Sequence, residues 1–292
     1  MSADTTMTGI GTTPAHKIAG APISWGVCEV PGWGYQLSPE RVLSEMHEVG
    51  LTATEYGPDG FLPPDPAPLL SRYELTALGG FVPVVLHAAD VDPLEDFSFD
   101  GDVLVLAAAT GQDGYDERPS LDAAGWRRLL STLDRLHDWA VDRGVKAVLH
   151  PHVGTMIETG PEVERVLEGS RIPLCLDTGH LLIGGTDPAV LAASAADRIA
   201  HVHAKDVDQA MARKVRAGHL TYTEAVAGNM YRPIGDGDVD FAAVAAALGK
   251  QGYDGWWVLE QDTVLHSAPA GEGPKADVRR SAEALRALGQ NV

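Results

Sequence analysis

The stretch VKAVLHPHVGT, residues 145–155, begins as an apolar, β-rich run and stops on two histidines with one proline between them. Side chains two apart in a strand point to the same side, so His150 and His152 are expected to face one way at the strand's carboxyl end. The pattern of a short apolar run that stops on polar residues recurs along the chain. It appears in KIAGAPISW (17–25), TATEYG (52–57), GFVPVVLHA (80–88), DVLVLAA (102–108), IPLCLDTGH (172–180), RIAHVHAKD (198–206) and GWWVLEQD (255–262). Between these runs lie amphipathic stretches, among them SPERVLSEMHEVG (38–50), AAGWRRLLSTLDRLHDWAVDRG (123–144), GPEVERVLEGS (160–170), DPAVLAASAAD (187–197) and DFAAVAAALGKQG (240–252). Several open on a Ser or Asp that can cap the first turn, and several close on Gly.

Strand and helix in alternation imply parallel strands joined by crossover helices. Eight such units predict a closed (β/α)8 TIM barrel, an α/β fold of one domain. The rival is an open doubly wound sheet, but no Gly-x-Gly-x-x-Gly turn follows the first strand. Residues 1–17 read as a flexible leader without a hydrophobic signal core, and 18–292 as the barrel. The Pro-rich stretch 57–70 fits a rigid loop between the second strand and its helix. Residues 207–238, after the seventh strand, form a long polar connection whose length points to a functional loop or disorder.

Of the 292 residues, 45% are hydrophobic and 22% charged, as in soluble globular proteins, and the net charge is −19. So acidic a surface repels phosphate backbones and argues against nucleic acid as a partner. No apolar run approaches the ~18 residues that a membrane helix needs, and a cytoplasmic location is expected. Cys28 and Cys175 form no motif and read as reduced core residues.

In a barrel of this kind the functional groups come from the carboxyl ends of several strands. Read in order, those ends carry Trp25, Glu55, His87, His150 with His152, Asp177 with His180, His203 with Lys205, and Glu260. Imidazoles and carboxylates converging on one point are what a divalent cation requires. Asp177, His203 and Glu260 supply three sides of such a site, and the fifth strand supplies the fourth through His150 or His152. A mixed nitrogen and oxygen set without thiolate suits Mn²⁺, Co²⁺, Fe²⁺ or Zn²⁺ better than an all-oxygen Mg²⁺ site. Trp25 either forms an apolar wall against a sugar ring or packs within the barrel, Glu55 either accepts hydrogen bonds from substrate hydroxyls or is a structural carboxylate that caps a helix or pairs with an Arg, and Arg232 with the GDG turn at 235–237 is a candidate to close over the substrate. His87 reads first as a structural residue and second as a candidate for substrate contact.

APISWG (21–26), TATEYGPDGFLP (52–63), LHPHVGTMIET (149–159), LCLDTGHLLIGGTDP (174–188), HVHAKDV (201–207) and RPIGDGDVDF (232–241) occur in that order. Together they resemble the inosose dehydratase branch of the xylose isomerase-like TIM-barrel superfamily, from about residue 18 to the C-terminus. The resemblance implies one divalent metal, Mn²⁺ or Co²⁺ first, held by Asp177, His203 and Glu260. The superfamily's first Glu ligand falls on His150, which leaves His150, His152 or a water as the fourth ligand. It also implies a lyase that removes water from a keto-inositol or related keto-sugar, with His152 as base or acid and His180 and Lys205 holding or polarising substrate oxygens. A sugar isomerase or epimerase on the same scaffold is the alternative, since both reactions begin with proton removal beside a carbonyl. Besides the small-molecule substrate, a homo-oligomer is compatible with a barrel of this size.

Overall fold

Residues 16–289 are described by the computed structural model. The expected leader falls mostly outside the described residues, and Lys17 already opens the first strand. The strands are β1 (Lys17–Gly20), β2 (Ala53–Thr54), β3 (Thr76–Ala77, continued past Leu78 by Gly79–Val84), β4 (Val103–Ala108), β5 (Lys146–Leu149), β6 (Leu174–Asp177), β7 (Ile199–Ala204) and β8 (Trp256–Leu259). Each pairs in parallel with its neighbours in sequence, and β8 returns to pair with β1 from Lys17↔Trp256 to Gly20↔Leu259. The first half of β3 pairs with β2 and the second half with β4, so the sheet closes across Leu78. The eight strands expected from the sequence all form, and the fold is a TIM barrel.

The helices are α1 (Pro39–Glu48), α2 (Ala67–Arg72), α3 (Ala123–Val141), α4 (Gly160–Gly169), α5 (Thr178–Ile183), α6 (Pro188–Ser194), α7 (Gln209–Arg216), α8 (Tyr222–Ala227), α9 (Phe241–Lys250) and α10 (Pro274–Gly289). Their starts follow capping chemistry. Ser38, Asp122 and Asp240 accept first-turn N–H groups of α1, α3 and α9, and Thr159 with Glu162 forms a reciprocal capping box on α4. The third unit departs from the expected alternation. Residues 85–102 form no helix, having Pro93 and no 3.6-residue apolar period; Phe97 from this loop packs edge-on against Trp139 of α3 instead, at 5.0 Å between ring centroids. At the other end α10 seals the ring, with Arg286 donating to the carbonyl oxygens of Val49 and Gly50 at 3.0 Å each.

The period of two sorts each strand into an outward and an inward row. Outward residues such as Leu104, Leu106, Leu149, Leu174 and Val202 pack with Leu129, Leu133 and Leu136 of α3 and their counterparts in one large core between barrel and helices. Apart from His201, inward residues low in the barrel are apolar: Ala19, Ala53, Leu78 and Val258 on one side, Val103, Val105, Val148 and Cys175 on the other.

The long connection after β7 is ordered. Asp206–Val207 and Tyr231–Arg232 form a short antiparallel ribbon, and α7 and α8 lie between them. A second apolar cluster, including Trp33, Val153, Ile183, Tyr222, Val226 and Tyr231, seats this cap on the carboxyl end of the barrel. The Asp206 carboxylate ties the cap's return path, accepting from the backbone N–H groups of Val207, Gly235, Gly237 and Val239 at 2.8–3.1 Å.

Two outcomes test this packing. Leu133 has no exposed surface, whereas the Val190 side chain is 64% exposed. Leu133→Ala is expected to lower the unfolding free energy by about 2–5 kcal/mol and Val190→Ala by less than about 0.5 kcal/mol, both read from urea titrations. Asp206→Ala leaves four N–H groups without their acceptor, so amide hydrogen exchange over 231–239 should accelerate at least tenfold while α3 keeps its protection.

Candidate functional site

The inward rows change character at the carboxyl ends of the strands. Above Val148 comes His150, above Cys175 comes Asp177, above Val258 come Glu260 and Asp262, and above Ala53 comes Glu55. The inward row of β7 is polar throughout, as His201, His203 and then Lys205. Strand register sets these groups side by side, pairing Asp177 with His203, and His203 with Val258 just below Glu260.

His203 stands at the centre. Its Nε2 lies 3.0 Å from Glu55 Oε1, and its Nδ1 lies 3.1 Å from Glu260 Oε2 and 3.7 Å from Asp177 Oδ2. His150 Nε2 lies 3.0 Å from the same Asp177 Oδ2. The other Asp177 oxygen accepts the backbone N–H of His180 at 2.7 Å, so one carboxylate caps α5 and also faces the imidazoles. Ligand atoms of His150, Asp177 and His203 lie within 4.8 Å of one another, and so do those of Glu55, His201 and His203.

Lys205 is the buried cation of the site. Its ammonium contacts Asp262 Oδ1 at 2.8 Å, Glu260 Oε2 at 3.0 Å and His180 Nε2 at 3.0 Å. Burial works against its charge, but Asp262, Glu260 and Asp177 outweigh that and hold its pKa well above the usual lysine value. Burial likewise opposes a charge on His203, yet the surrounding Cys175, Glu260 and Glu55 raise its pKa well above the usual imidazole value. Glu55 is drawn down to about 2: burial pushes it up, and His203 and His201 more than offset this. His152 and His180 are held well below the usual value, first by burial and then by positive charge around them.

His152 is set apart from the cluster. Its Nδ1 lies 2.7 Å from the carbonyl oxygen of Val153, which can only accept, so Nδ1 carries the proton and Nε2 the lone pair. Its ring stacks on His180 at 3.7 Å between centroids and lies 4.7 Å from Tyr115.

These groups border a cavity of about 270 Å³ at the mouth of the barrel. Glu55, His150, His152, Lys205, Glu260 and Asp262 form its polar side, and Pro22, Ile23, Val27 and Phe81 belong to its apolar side. Asp177 and His203 are fully buried beneath, and His180 lies behind Lys205 and His152 rather than on the cavity wall.

Three candidate substrate contacts lie elsewhere. Trp25 has no exposed surface; its ring joins the core between barrel and helices, where the indole N–H donates to Glu45 of α1 at 2.8 Å. Burying so large a ring there stabilises more than exposing it at a wet mouth. His87 is half-buried outside the cavity, with its carbonyl oxygen taken by Arg128 at 2.9 Å. Arg232 points away because ribbon neighbours alternate: Tyr231 turns toward Lys205, and Arg232 pairs with Asp208 at 3.3 Å. Glu55 does border the cavity, but its Oε1 is already engaged by two imidazoles. Cys28, expected in the core, lies at the rim of the cavity.

Other groups escape the sequence reading. His201 and Asp262 are legible in principle, being two residues from His203 and Glu260 on the same inward rows. Tyr222 and Tyr231 are not, since they arrive from the cap. Tyr222 donates to Asp262 Oδ2 at 2.9 Å, and the two hydroxyls meet at 3.0 Å.

The residues fit a divalent cation. His150 Nδ1 and His203 Nδ1 are buried without a hydrogen-bond partner. Four buried carboxylates (Glu55, Asp177, Glu260 and Asp262) crowd His203 and Lys205, the two groups whose pKa values they raise, and a bound dication would relieve the excess negative charge.

Comparison with known proteins agrees with this architecture. The model of the xylose isomerase-like TIM barrel family matches residues 98–288. The rhizopine catabolism protein MocC of Rhizobium meliloti is 35% identical over 269 residues, which cover 84% of this chain and 81% of that protein. The inosose dehydratase of Geobacillus kaustophilus is 32% identical, over 86% of this chain and 89% of its own. That of Lacticaseibacillus casei is 30% identical, over 83% and 88%. Among solved structures, an L-ribulose 3-epimerase superposes with a TM-score of 0.65 at 17% identity, over 94% of this chain and 95% of its own, a likeness of fold. By sequence match and by the closed barrel with its ring of carboxyl-end imidazoles and carboxylates, the chain belongs to the xylose isomerase-like TIM barrel family.

Proposed function

We propose that this protein is a metal-dependent lyase that removes water from a keto-inositol or a closely related keto-sugar. The observation that carries the reading is the division of labour around the cavity. A neutral imidazole of defined tautomer, His152, borders it beside a buried cluster of His150, Asp177, His203 and Glu260 suited to a dication. The inosose dehydratases to which the chain is 30–32% identical support the substrate class, and the cavity volume suits a single sugar-sized ring.

In this reading the ketone oxygen faces the cluster and the carbon beside it faces His152. A divalent ion there supplies Lewis-acid stabilisation of charge developing on that oxygen. His150, Asp177, His203 and Glu260 would hold it. Burial keeps His152 neutral, and its Nε2 lone pair takes the proton α to the carbonyl. Lys205, fixed by Asp262, Glu260 and His180, polarises the β-hydroxyl, and the proton that His152 takes is returned to that hydroxyl as it leaves as water. Tyr222 holds Asp262 in place for that task. The apolar side, with Ile23 and Phe81, keeps bulk water from the proton acceptor.

Purified protein is expected to convert inosose to a dehydrated dione with stoichiometric Mn²⁺ or Co²⁺. Chelation should abolish turnover, and re-addition of metal should restore it. Stereochemical exchange without water loss would instead make the protein an epimerase. Asp177→Ala should lose the bound metal, measured by elemental analysis. His152→Gln should keep a full complement of metal while kcat falls about 10²–10⁴-fold, with parallel loss of α-proton exchange with solvent; unchanged turnover would remove His152 from its role.

A further inference from the structure

Glu55 stands on β2's exit, far in sequence from every other member of the cluster, yet its Oε1 lies 3.0 Å from both His201 Nε2 and His203 Nε2. A carboxylate only accepts, so His203 must carry a proton on Nε2. That leaves Nδ1, the nitrogen that faces Glu260 and Asp177, as the one that can turn a lone pair to a cation bound among them. Imidazole rings rotate and exchange tautomers readily; here a second group decides which nitrogen is offered. The same Glu55 oxygen is held by His201, one step lower on the same inward row as His203.

From this geometry we infer that Glu55 is a positioning residue for the metal: through His203 Nε2 it sets that imidazole's tautomer and ring orientation and strengthens Nδ1 as a ligand, with His201 fixing Glu55 in turn. This reassigns Glu55 from substrate contact to support of a ligand, and it rests on the dication reading of the cluster. A carboxylate accepting from the remote N–H of a metal-binding imidazole raises the ligand's basicity and fixes its direction, and losing such a partner typically costs 10–100-fold in metal affinity. Glu55→Gln keeps the shape and an oxygen that can accept from both imidazoles but removes the negative charge opposite them, so it isolates the contribution of that charge.

The test titrates Co²⁺ into metal-free wild type, Glu55→Gln, Glu55→Ala and Asp177→Ala, following affinity by calorimetry and ligand geometry by the visible d–d absorption of the bound ion. Wild type is expected to bind one Co²⁺, Glu55→Gln to bind it at least tenfold more weakly, and Glu55→Ala more weakly still, with the d–d band altered in position or intensity in both. Thermal unfolding of each metal-free variant separates a folding defect from a ligand defect, since a purely structural role would lower Tm but leave the affinity and spectrum of folded protein unchanged. Co²⁺ affinity within twofold of wild type and an unaltered spectrum in Glu55→Gln would overturn the assignment of Glu55 while leaving the metal site intact. Absence of Co²⁺ binding by wild type itself would overturn the dication reading and this inference together.

Discussion

The pairing of Asp177 with His203 across β6 and β7 is the constraint on which the rest of the site depends. Both side chains are wholly buried, so neither is tolerable alone; each needs charge and hydrogen-bond partners that the fold must bring to it. Those partners come from four strands: Glu55 from β2's exit, His150 from β5's, Lys205 from β7's, and Glu260 and Asp262 from β8's. A one-residue slip between β6 and β7 would turn one row outward into the apolar layer under the helices. The large outward core makes such a slip prohibitive, which is how helix packing remote from the mouth holds the chemistry in register.

The cap after β7 contributes in a different way. Its helices bury little against the main core and instead form their own apolar cluster over the mouth. That cluster delivers Tyr222 to Asp262, and Asp262 anchors Lys205, which also contacts His180. The cation of the site is therefore bounded partly by strands and partly by a loop-borne group. The strand-borne part is common to the barrel's architecture. The loop-borne part is where one barrel of this kind differs from another.

The legibility of these parts follows their physics. All eight strands were readable because each is a short apolar run bounded by polar or turn residues, and a row of polar groups at successive strand ends was readable because side chains alternate with a period of two. The same period also implicated His201 and Asp262, had it been carried one step down from His203 and one step up from Glu260. The missing helix after β3 was foreshadowed by Pro93 and the lack of a helical period. Trp25 stayed open because a large aromatic residue at a strand end satisfies two environments equally in sequence. Only the neighbouring α1, with Glu45 within reach of the indole N–H, selects the buried one.

Sequence alone determined the barrel, its strand count and the strand ends that carry imidazoles and carboxylates, because these depend on local periodicity and chain-order alternation. It did not determine which edge of each ring faces which partner. The choice of Nε2 or Nδ1 on His203, the separation of His150 from His152, the withdrawal of His180 behind Lys205 and the arrival of Tyr222 all depend on distances between segments far apart in the chain. Such distances are set by closure of the sheet and seating of the cap, and no local pattern encodes them.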